Sequence, residues 1–127
     1  MIEGLESITA AALGLALDAA SLRQRAIAAN IANHATEGYI PQKLNFDAQM
    51  QEARRVLDGN GRLDAFALAG VHPQLEPMLD AQGQPAKVHL DEQVADMAQN
   101  SVQYQVLARA LNRHFAILSS AVSDGKH

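Results

Sequence analysis

The 127-residue sequence contains no cysteine and no tryptophan, and only two tyrosines and three phenylalanines. Missing thiols exclude disulfides, thiolate metal sites and cysteine nucleophiles. They do not fix a compartment, because many exported proteins also lack cysteine. Few aromatics together with a net charge of −4 exclude the basic surface with interleaved stacking rings that nucleic-acid binding needs. No apolar run reaches the ~18 residues of a membrane-spanning helix. Residues 8–17 have the length of a signal-peptide core, but Glu3 and Glu6 stand where Lys or Arg belongs. That stretch is therefore read as mature helix, in a soluble chain without a cleavable leader.

Catalytic patterns are also missing. The five histidines (His34, His72, His89, His114, His127) include no pair at metal-ligand spacing and no completing carboxylate. Asp91 and Glu92 are neighbours, so on a helix they point apart and make a poor acid–base pair. There is no Gly-x-Ser-x-Gly elbow and no glycine-rich phosphate cradle after a strand. The expectation is a non-enzyme with no catalytic residue, no metal and no cofactor.

What the sequence does contain is heptad periodicity at both ends. Ile8, Ala12, Leu15, Ala19, Leu22, Ala26, Ala29 and Asn33 follow at alternating steps of four and three, as do Leu90, Val94, Met97, Ser101, Tyr104, Ala108, Leu111, Phe115, Leu118 and Val122. The predicted fold is mainly α: two long terminal helices packed as a coiled-coil-like hairpin around a small, irregular middle segment. The division is residues 1–39, 40–89 and 90–127. The first helix is predicted to begin between Glu3 and Ser7, with Ser7 as N-cap, and to run to about Ala35, where Gly38 in a left-handed conformation and Pro41 stop it. The second is predicted to start on Asp91 as N-cap and to end near Ser123, with Arg109, Arg113 and His114 towards its negative end.

Each helix carries a second apolar face: Leu13, Leu17, Ala20, Gln24, Ile27 and Ile31 on the first, and Val102, Val106, Ala110 and Ile117 on the second. One neighbour cannot cover both, which calls for assembly with other chains. The residues assigned to assembly are Ile8, Leu15, Leu22, Ile27 and Ile31 with Leu90, Val94, Met97, Tyr104, Leu111, Phe115 and Leu118. Asn30 and Asn33 share a face near the end of the first helix. Two readings stand side by side: buried amides that fix register, or amides that satisfy the last carbonyls. Arg23 and Arg25 point different ways, one towards a partner chain or both to solvent. In the middle, residues 45–57 read as a short helix with Phe46, Met50, Ala53 and Leu57 on one side and Asn45 as cap. Residues 58–61 break it, Leu63, Phe66 and Leu68 anchor the next piece, and residues 72–87 are irregular with a weak hairpin about residues 81–84.

Taken together, Arg25, Asn30-Ile31-Ala32-Asn33, Thr36 and Gly38-Tyr39 resemble the N-terminal signature of the flagellar rod, hook and hook-associated family. Residues 88–92, 97–100, 104–105 and 111–115 resemble the C-terminal helix of its small proximal-rod members. One departure stands out: Glu37 replaces the family's usual proline before Gly38, and a proline appears at Pro41 instead. The resemblance implies a structural subunit of the basal-body rod, exported uncleaved through the flagellar type III apparatus and polymerised in the periplasm. The implied partners are further copies of itself, other rod proteins, and membrane-ring and export-gate components. No nucleic acid, small-molecule substrate or direct membrane span is implied. The alternative from another class is a helical adaptor or chaperone-like module that oligomerises through the seams.

Overall fold

The computed structural model describes residues 2–45 and 70–125, with side chains from Ile8 onward. In chain order the elements are α1 (Ile2–Ala32), β1 (Gln42–Asn45), β2 (Gln74–Pro77) and α2 (Leu90–Asp124). The predicted middle helix over residues 45–57 and the anchors Leu63, Phe66 and Leu68 lie outside the described residues, Asn45 excepted. Asn45 itself ends β1 and donates from Nδ2 to Glu76 Oε2 at 2.8 Å.

Strong helix formers, chiefly Ala and Leu with no internal proline, carry α1 without a break. It begins at Ile2, ahead of Ser7, so Glu3 and Glu6 sit within its first turns, where the helix dipole favours acidic groups. It ends at Ala32, three residues short of the predicted Ala35. His34 N–H reaches Ile31 O at 3.4 Å in a tightened turn, and Thr36 N–H reaches Asn33 O at 3.0 Å in the next. Gly38 is left-handed (φ 80°), yet it does not cap the helix. It is the third residue of a turn closed by Tyr39 N–H to Thr36 O at 3.2 Å, as a type II turn requires. Glu37 occupies the second position of that turn, where proline is favoured but not obligatory. That is why the turn survives the departure from the family pattern.

In α2 the N-cap is His89, extended and without a side-chain cap, and Asp91 falls inside the first turn beside Glu92. No basic residue lies in its last turn, and Gly125 closes it in a right-handed conformation (φ −69°), donating to Ala121 O and Ser123 O. The described part of the middle segment is more regular than its composition promised. β1 and β2 pair antiparallel in the register Gln42↔Pro77 to Asn45↔Gln74. Beyond them a tight hairpin forms where the turn signal at residues 81–84 stood. Leu79 bridges Pro85, Gly83 takes φ 78°, and Asp80 Oδ1 accepts from the N–H groups of Gln82 and Gln84, both at 2.9 Å.

The two helices pack antiparallel: Ala20 and Gln24 meet Asn100 and Ser101, whereas Asn30 meets Gln93. On α1 the buried residues are Ala19, Ala20, Ala26, Ile27 and Asn30, which straddle the border of the two apolar faces. On α2 the facing stripe differs from the predicted seam. Met97, Leu111 and Leu118 are half-buried as expected, but Val94 (52% exposed) and Phe115 (51%) turn outward, as do Leu90, Tyr104 and Val122. Gln93, Asn100 and His114 take the inward positions instead. The physical cause is the alanine surface of α1. It lets α2 approach closely enough for Asn100 to bond the backbone at Ala20, and turning that stripe inward carries Val94 and Phe115 outward.

Candidate functional site

Among the described residues the most constrained point is the Asn30 side chain, 1% exposed. An asparagine amide offers two donors and a carbonyl that accepts twice, and Asn30 uses all four. Nδ2 donates to Gln42 O at 2.8 Å and to Gln93 Oε1 at 3.1 Å. Oδ1 accepts from the Tyr39 hydroxyl at 2.8 Å and from Gln42 N–H at 3.0 Å. The amide pairs with Gln42 as a neighbouring strand would, so one side chain joins the end of α1, the turn at Gly38, the start of β1 and the start of α2. The Tyr39 phenol is a donor at neutral pH in any case, and burial raises its pKa further above the ordinary value of 10.0. Pro41, fully buried, fixes the approach to Gln42, and its carbonyl accepts from Met78 N–H at 2.8 Å.

Further along the hairpin lies a second set of neutral contacts. Asn100 Nδ2 donates to Ala20 O and to Gln24 Oε1, both at 2.8 Å, while Gln24 Nε2 donates to Ser101 Oγ at 3.1 Å. Asn100 is 3% exposed, and its Oδ1 is buried with no donor. Amides at Gln93 and Asn100 stand one heptad apart on α2 and meet amides at Asn30 and Gln24 on α1. A slip of α2 by one turn would separate each pair and strand several buried polar groups, at about 1–3 kcal/mol each. The arrangement sets register through neutral amides and the hydroxyls of Tyr39 and Ser101.

The motif residues do not act as one cluster. Asn30 and Tyr39 meet, and Gly38 sets the turn between them. Asn33 is the local cap of the other reading, donating to Ala29 O at 2.9 Å and accepting from Thr36 Oγ1 at 3.3 Å. Arg25 and Ala32 are exposed, and Ile31 is half-buried. The two asparagines thus divide the two readings between them. Of the residues assigned to assembly, Ile27 is buried inside the hairpin, and Ile8, Leu15, Leu22, Met97, Leu111 and Leu118 are half-buried. Read by sequence, Gln93 and Gln42 had no role, and Asn100 stood only within the family-like stretch 97–100. The available signal was the seven-residue repeat of amides on α2, which a purely apolar template discards.

The outer face of α2 remains uncovered. Val102 (61% exposed), Val106 (60%) and Ile117 lie along it, with Val94 and Phe115 at its flanks. Among the described residues no helix is long and apolar enough to cross a membrane, and no three His, Asp or Glu side chains gather as metal ligands do.

No family model matches the chain. It is similar to a curated protein, the flagellar basal body rod protein FlgB of Bacillus subtilis (strain 168), with 27% identity over 122 residues, covering 87% of this chain and 90% of the relative.

Proposed function

We propose that this chain, a distant FlgB-like protein, is a structural subunit of the bacterial flagellar basal-body rod that polymerises through its terminal helices and helps carry torque from motor to hook. The observation that carries this reading is similarity along nearly the whole of both chains. The physical reading agrees with it: the hairpin is locked in register by neutral amides, while α2 keeps an outer row of Val and Ile for neighbours to cover. The subunit is structural and not catalytic. It acts in the periplasmic rod after export without cleavage, among copies of itself, other rod proteins, and the membrane-ring and export-gate components. Nothing observed favours the adaptor alternative.

The test is deletion and complementation in the source bacterium. Loss of the gene should abolish swimming and leave basal bodies without a complete rod in electron micrographs, and the intact gene should restore both. Complete rods in the deletion strain overturn the reading.

A further inference from the structure

The outer side of α2 carries a stripe with a symmetry of its own. Asp91, Ala95, Ala98, Val102, Val106, Arg109 and Arg113 are all exposed, and counted outward from Val102 they stand at steps of four, three and four in both directions. Such steps keep them on one helix face. The stripe is acidic at one end, where Glu92 flanks Asp91, apolar in the middle at Val102 and Val106, and basic at the other end. The helix dipole accounts for Asp91 and Glu92 in the first turn, but not for the two arginines, which lie about three turns or more short of Asp124. Among the described residues neither arginine has an ion-pair partner; the pair that forms is Lys43 with Glu76.

Spacing that reads the same both ways is what a two-fold contact needs, because such an interface uses one patch on both partners. Laid antiparallel about Val102, two copies of the stripe set Val102 against Val102, Ala98 against Val106, Ala95 against Arg109 and Asp91 against Arg113. Each alanine faces a larger side chain, so the helices can close. Each acidic end meets a basic end, twice over, along an overlap of about 33 Å. Copies of net charge −4 repel at long range, and only an orientation that joins opposite ends counters this locally. A parallel contact in register would bring arginine to arginine and acid to acid.

We propose that α2 pairs with α2 of a second copy, antiparallel about Val102, in a closed dimer. A two-fold contact of this kind ends at two chains. It covers Val102 and Val106, which are 61% and 60% exposed in the single chain, and which neighbours in a rod would also have to cover. Dimer and polymer therefore exclude each other. In the rod-subunit reading the dimer is a holding state that hides the apolar row before assembly. The pairing itself goes beyond that reading and does not depend on it, since it follows from the stripe alone.

The absence of cysteine makes the test direct. Diamide should join Val102→Cys to its own copy, because the two thiols meet at the axis. Asn112→Cys, exposed but far from its own copy across such an axis, should crosslink at least about tenfold more slowly. Sedimentation of the full parent chain, up to millimolar concentration, should stop at the dimer. Arg113→Glu should weaken the dimer about tenfold with the helical circular dichroism unchanged, and adding Asp91→Arg to the same chain should restore it to within about threefold. Equal crosslinking at the two positions means a parallel contact and overturns the proposal. A dimer that does not crosslink at Val102 places the contact elsewhere and overturns it too, as does association that runs on past two chains. A chain that stays monomeric, with residues 46–69 or nothing over the stripe, removes it, and so does an Arg113→Glu dimer of parent strength. None of these results touches the rod reading, which the deletion strain tests separately.

Discussion

The two halves of the helical hairpin hold together by different means. At the end where α1 stops and α2 begins, asparagine and glutamine side chains meet in fixed pairs, and Asn30, Gln93 and Asn100 are buried. At the other end, Ile8, Leu15, Leu111 and Leu118 are only half-buried and Phe115 faces out. Hydrogen bonds are directional and reject a slipped register. Apolar contacts are not, and accept whichever neighbour arrives. One half of the chain decides its own conformation, and in the rod-subunit reading the other is left for a neighbour to cover.

Substitution of the two halves should separate stability from assembly. The largest effect is expected from Asn30→Ala, which leaves Gln42 N–H and O, the Tyr39 hydroxyl and Gln93 without a partner. Urea unfolding should show a loss of about 2–4 kcal/mol. A loss below about 0.5 kcal/mol erases the contrast between the halves. Asn33, a surface cap, serves as the internal control, with an expected cost for Asn33→Ala near that small value.

On the outer face the pattern should invert. Val106→Asp is expected to change monomer stability by no more than about 0.5 kcal/mol, yet to stop rod assembly and swimming when produced in full amount. A destabilised monomer, or normal swimming, would contradict the assignment of Val106 to an assembly face.

A smaller effect is expected at Tyr39. Tyr39→Phe removes one donor to Asn30 at a cost of about 1 kcal/mol. Because burial lifts the folded-state pKa above 10.0, the stabilisation is complete below the unfolded value and is lost as pH rises through the folded one. The parent should therefore weaken in alkali from about pH 10 upward, and Tyr39→Phe should lose that part of the dependence. Equal alkaline slopes for the two proteins would contradict it.

The smallest change should be a gain. Glu37→Pro restores the residue favoured at the second position of the Gly38 turn and should stabilise by about 0.4–1 kcal/mol, chiefly by restricting the unfolded chain. A loss instead would show that the turn is not type II.

The heptad spacing and the absence of proline across both ends determined the two long helices, because helix propensity and periodicity are local properties of a chain. The turn signal at Gly83 likewise placed the small hairpin about residues 81–84, and the Asn-Ile-Ala-Asn stretch with Gly38 and Tyr39 carried the family resemblance. Which side of α2 turns inward was settled only in three dimensions. Gln93 and Asn100 displaced Val94 because their value depends on meeting Asn30, Gln24 and the Ala20 carbonyl across the interface, and no helical template scores an interaction between residues so far apart in the chain. The same holds for Asn30 against Asn33. The heptad seam picked out Asn33 in the sequence, but Gln42, Tyr39 and Gln93 converge on Asn30 three residues earlier and leave Asn33 as a local cap.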